Sequence, residues 1–113
     1  MENIVLCVSN SYERKYYLNE MFSVLPEEIK NELKIMCVLF TEDVGGILKM
    51  EFEEDTLLFK TEADEEDLLY DEIGSVLKIK QLQYEKQELL ESLENYYRIV
   101  RRLNGTCGWY WQH

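Results

Sequence analysis

Catalysis and metal binding draw on few residue types, and this chain holds each of them in an incomplete arrangement. Cys7 sits in the run Val5-Leu6-Cys7-Val8 ahead of Ser9-Asn10-Ser11, a pattern similar to a strand feeding a phosphate-binding loop. A nucleophilic Cys of that kind needs an Arg at a fixed spacing downstream, so that guanidinium and backbone donors surround one phosphate. The position where it belongs is Glu13, and Arg14 comes one residue late. The loop also lacks a glycine that would let the backbone curl into a cradle. The simpler reading of Cys7 is a buried structural thiol.

Seven acids crowd the stretch from Glu62 to Glu72. Hard cations bind several carboxylate oxygens on a fixed loop, so Asp64, Glu65, Asp67 and Asp71 are candidate ligands for a divalent ion. Their spacing lacks the alternating ligands and central glycine of an EF-hand loop, and a solvated helix start accounts for them equally well. Cys7, Cys37, Cys107 and His113 contain no Cys-x-x-Cys pair to anchor zinc. His113 is the single His and lies at the chain end, leaving Cys-His nucleophilic chemistry unsupported. With 23 acidic residues, no one pair of carboxylates stands out as an acid and base. The expectation is no catalytic residue, no cofactor and a protein that is not an enzyme. A divalent-cation-binding protein or enzyme built on Glu62–Glu72 is the alternative.

Length and charge narrow the classes further. A chain of 113 residues suits one domain with a modest core. An apolar content of 46% is ordinary for a globular protein, so the net charge of −11 describes a folded acidic surface. That surface repels phosphate backbones and anionic lipid, which argues against nucleic-acid and membrane partners. Three widely separated Cys, two of them inside apolar runs, suit free thiols in a reducing cytoplasm. The Met1-Glu2-Asn3 start lacks the basic flank of a signal peptide.

The elements that must position these residues follow from periodicity. Leu69, Ile73, Val76, Leu77, Ile79, Leu82, Leu89, Leu90, Leu93, Tyr96, Tyr97, Val100 and Leu103 recur at steps of three and four, predicting a long amphipathic helix over 67–103. Acids at its start and Arg98, Arg101 and Arg102 at its end match the helix dipole. Such a helix would be roughly 55 Å long, whereas a compact domain of this size has a radius of gyration of only about 13 Å. Either it breaks, with Gly74 the cheapest place, or its far half projects and seeks another surface. The stripe is interrupted at Gln83, Tyr84 and Lys86, where a helix leaves a core or changes partner.

Leu25-Pro26-Glu27-Glu28 marks a second helix start, and Gly45-Gly46 supplies an exit, giving a helix over 26–43. After the glycines the period becomes two: Leu48, Met50 and Phe52, then Leu57, Phe59, Thr61 and Ala63. Two such runs joined by Glu54-Asp55 predict an antiparallel β-hairpin over 46–53 and 57–63. Ile4–Val8 reads as a short strand or a helical turn, and Tyr12–Phe22 as a short helix or an extended crossing segment. The fold class is α+β: a hairpin packed by two helices in a single domain over 1–103, followed by an aromatic tail over 104–113.

Through Ile35–Gly46 and Leu69–Leu82 the chain resembles a family of small acidic proteins of unknown function from clostridial-type gut bacteria. The resemblance spans most of residues 1–100 but not Trp109 or Trp111. It implies a bacterial, cytoplasmic origin and carries over no functional residue. Taken together, the chain reads as a protein-interaction or regulatory module, a homo-oligomer or the partner of another protein. Its expected contact residues are Leu89, Leu90, Leu93, Tyr96, Tyr97 and Val100 on the long helix, with Trp109 and Trp111 on the tail.

Overall fold

The computed structural model describes residues 3–106, with side chains through Arg101. Two strands, β1 (Ile4–Asn10) and β2 (Lys15–Leu18), are followed by a single 3-10 turn at Glu20–Phe22 and helix α1 (Glu27–Val44). Strands β3 (Ile47–Glu53) and β4 (Thr56–Glu62) come next, then helices α2 (Glu72–Glu85) and α3 (Gln87–Thr106). The strands form one antiparallel sheet in the order β2-β1-β3-β4. The fold is α+β, and the expected hairpin is its β3–β4 half, with Leu48 opposite Thr61, Met50 opposite Phe59 and Phe52 opposite Leu57.

The ambiguous amino-terminal run is a strand carrying a β-bulge between Val5 and Cys7, which leaves one residue extra against β3. Leu6 and Cys7 are both fully buried as a result. This is why Ile4–Val8 reads as a continuous apolar run and not as an alternating one. The Tyr12–Phe22 segment is extended only over Lys15–Leu18, where β2 pairs with β1 and places Tyr16 opposite Ser9, and it closes with the 3-10 turn at Glu20–Phe22.

Helix α1 begins after Pro26, and its Leu33, Met36, Cys37, Phe40 and Val44 cover the inner sheet face. Its exit needs Gly45 and Gly46, at φ of 82° and 71°. A Cβ on Gly46 would lie 2.6 Å from the Glu62 carbonyl oxygen, so β4 and the chain leaving α1 are in direct backbone apposition.

The long helix is present, but it starts at Glu72 and its interruption is at Lys86, not Gly74. Gly74 lies in the first turn of α2, its N–H donating to the capping Asp71 carboxylate. At Lys86 the backbone leaves helical geometry (φ −107°, ψ 26°), while its N–H still donates to the Leu82 carbonyl and its own carbonyl accepts from Leu90. One helix thereby meets two supports. α2 runs antiparallel along α1, pinned by Lys78–Asp43 and Lys86–Glu32 ion pairs. α3 continues onto the far end of the sheet, where Glu94 accepts from the Leu57 N–H at 2.8 Å and Tyr97 stacks on Phe52 at 4.2 Å. α3 runs past Asn104-Gly105 to Thr106. The length conflict is resolved by elongation: the molecule measures 48 × 28 × 25 Å with a radius of gyration of 15.0 Å.

Candidate functional site

Asp64, Glu65, Asp67 and Asp71 line one shallow pocket beside Tyr70, without three of them grouped closely enough to share an ion. Asp64 accepts from the Glu66 N–H, Asp67 from the Leu69 N–H and the Tyr12 hydroxyl, and Asp71 from the Gly74 N–H. Each of these three carboxylates closes a turn or caps a helix, as short acidic side chains commonly do, and Glu65 is exposed. Among the described residues no three His, Cys, Asp or Glu side chains are grouped to hold a metal ion.

Cys7 and Cys37 do meet, sulfur to sulfur at 3.7 Å inside the core, with the Met50 thioether 3.4 Å from Cys37. The hydrogen bond with Cys7, together with burial, pushes the Cys37 thiol well above the ordinary cysteine range. A thiol held in its protonated form is a packing group and not a nucleophile. Cys107 and His113 lie outside the described residues.

The expected contact residues on the long helix prove to be mostly internal. Leu89, Leu93 and Tyr97 belong to the core, Leu93 at 1% exposure, and Leu90, Tyr96 and Val100 are half-buried. A side chain already enclosed by its own sheet has no surface to offer a second molecule, which corrects the expectation for those three. Trp109 and Trp111 lie outside the described residues.

Helical geometry locates the free surface. At about 100° per residue, Ser75, Ile79, Leu82, Leu89 and Leu93 share one side of the axis, whereas Ile73, Leu77 and Tyr84 lie roughly opposite. The periodic run is therefore two stripes. The first turns toward α1 and the sheet, with Ser75 and Leu82 buried. The second turns away from them and stays wet: Ile73 77%, Val76 53%, Leu77 62% and Tyr84 81% exposed. Leu68 and Leu69, just ahead of α2, are each 93% exposed. The signal was in the sequence, since Ile73 and Ile79 are six residues apart and cannot share a face.

A shallow groove of about 600 Å3 between α1 and α2 is lined in part by Ile35 and Leu39, both more than half exposed. The Lys78–Asp43 and Lys86–Glu32 ion pairs bridge the same two helices and hold them in place.

The model of a family of unknown function (DUF6145) matches residues 3–105. No curated protein and no solved structure matches the chain.

Proposed function

The chain belongs to that family of unknown function, and we propose that it is a non-enzymatic interaction module that self-associates through the outward face of α2. The observation that carries this reading is the second stripe. Four large apolar side chains on one helix face, Ile73, Val76, Leu77 and Tyr84, are each more than half exposed. Burying one such side chain fully contributes roughly 1.5–3 kcal/mol, and contiguous apolar surface of this kind on a monomer commonly marks a contact site.

Charge favours a second copy in antiparallel orientation. Asp71 and Glu72 stand at the start of α2, and Lys80 lies within the outward stripe. Among the described residues Lys80 has no carboxylate within ion-pair reach. Two α2 helices related by a two-fold axis would set each Lys80 toward the acidic start of the other, whereas a parallel pairing would bring like charges together.

Sedimentation at tens of micromolar tests the reading. The expected result is a dimer that Leu77→Glu converts to monomer with an unchanged circular dichroism spectrum. A wild-type chain that sediments as a monomer throughout that range overturns it. Cys7 and Cys37, buried side by side as free thiols, support placing the protein in a reducing compartment such as the bacterial cytoplasm.

A further inference from the structure

In an acidic protein, cations that lack a carboxylate partner are the ones available to a ligand. Seven described Lys and Arg side chains are each within ion-pair distance of a carboxylate. Among the described residues Arg14, Lys15, Lys34 and Lys80 are not. The first three come together, though Lys34 is far from the others in sequence: all three line one cleft of about 820 Å3 between the β1–β2 turn and one side of α1. On a chain of net charge −11 this is a local inversion of sign. Glu42 is the single carboxylate on the cleft wall.

The turn that presents Arg14 is firmly built. The Asn10 side-chain oxygen accepts from the N–H groups of Tyr12 and Glu13, at 2.9 and 3.2 Å. Ser11 donates to the Gly46 carbonyl through both its N–H and its hydroxyl, at 3.1 and 2.7 Å. Tyr12 ties the turn to Asp67 at 2.6 Å. Arg14 itself occupies the left-handed region at φ 54°, a conformation disfavoured for a long side chain and held here by those bonds. A backbone fixed before binding leaves only the Arg14 side chain to be ordered when a ligand arrives.

We propose that this cleft binds a small phosphorylated organic molecule, with Arg14, Lys15 and Lys34 around its phosphate. The planar Arg fork matches two phosphate oxygens, and the lysines add point charges. The volume is in the range of metabolite sites, about 300–1,000 Å3, so it exceeds what a bare ion needs. Val38 and Tyr16 supply wall for the organic part. A nucleic-acid polymer would run beyond the cleft onto the acidic surface and be repelled there. The site is separate from the α2 face, and its test does not depend on the dimer.

Amide chemical shifts read it directly, with inorganic pyrophosphate and ribose 5-phosphate as probes at fixed ionic strength. Both should shift residues 11–16 and 34–42 saturably. Arg14→Gln and Lys34→Gln should each weaken binding roughly tenfold, as expected for losing a charge-assisted contact. Lys30→Gln, which removes the same charge outside both the cleft and the α2 face, should leave it unchanged. Lys34 is exposed on α1, so its variant tests the site even where the Arg14 change perturbs the turn. The proposal is overturned if neither probe saturates into the millimolar range, if sodium chloride alone produces the same shifts, or if Lys34→Gln binds as wild type does.

Discussion

Glu51 illustrates how one carboxylate is kept charged and nearly out of water on the sheet face that no helix covers. Its side chain is 7% exposed, 3.0 Å from Lys60 and at the edge of reach of Lys49. The Lys60 hydrogen bond, aided by one from Asn3 and by the charges of Lys60 and Lys49, outweighs the cost of burial and holds its carboxyl below the usual glutamate range. A group whose pKa is depressed on folding contributes stability that is present above its unfolded pKa and lost as pH falls through the folded one. Acid denaturation should therefore become less pH-dependent in Glu51→Gln at and below pH ~4.5, while stability at neutral pH drops by about 1 kcal/mol, a modest figure because Lys60 is half exposed. Urea melts across that pH range measure both effects.

At the scale of elements, α2 and α3 are nearly one helix with opposite dependence on the fold. Leu93 is enclosed between α3 and the sheet, and Leu93→Ala should cost about 2–5 kcal/mol through the cavity it leaves. Leu77 faces outward, and Leu77→Ala should stay within about 0.5 kcal/mol when measured on dilute monomer. Denaturant melts of the two variants separate a core stripe from a contact stripe. Gly74 makes a subtler case. Replacing an exposed helical Gly with Ala ordinarily gains up to about 1 kcal/mol. Here the new Cβ would press on the Asp71 carboxylate that caps the helix, so Gly74→Ala should give no gain. In an Asp71→Ala background, where the cap is already lost, the same change should recover its usual benefit, a coupling that a double-mutant cycle reads out.

The whole molecule is longer than its residue count suggests, 15.0 Å in radius of gyration against an expectation of about 13 Å, because the kink at Lys86 lets one helix span both α1 and the far end of the sheet. No described helix is long and apolar enough to cross a membrane. With a net charge of −11 on each copy, association through α2 must overcome long-range repulsion. Raising the salt from a few millimolar to physiological ionic strength shortens the screening length to about 8 Å. The dimer should therefore tighten with salt, although the local Lys80 contacts weaken. Sedimentation in a salt series checks the sign.

Composition, turn residues and periodicity by themselves determined the α+β class, the start of α1 after Leu25-Pro26, its exit at Gly45-Gly46 and the inward faces of β3 and β4. These are short-range properties: a proline fixes its own φ, a glycine permits a left-handed turn, and alternation states which side chains share a face. Only the tertiary structure decided that β1 and β2 extend the hairpin into a four-stranded sheet, because their bulged or short runs carry no clean period. It also decided which stripe of the long helix is enclosed. The angle between Ile73 and Ile79 was fixed by helical geometry, but the side that meets protein depends on where α1 and the sheet stand. The gathering of Arg14 and Lys15 with Lys34 was equally out of reach, since only the packing of α1 over the β1–β2 turn makes neighbours of residues so far apart along the chain.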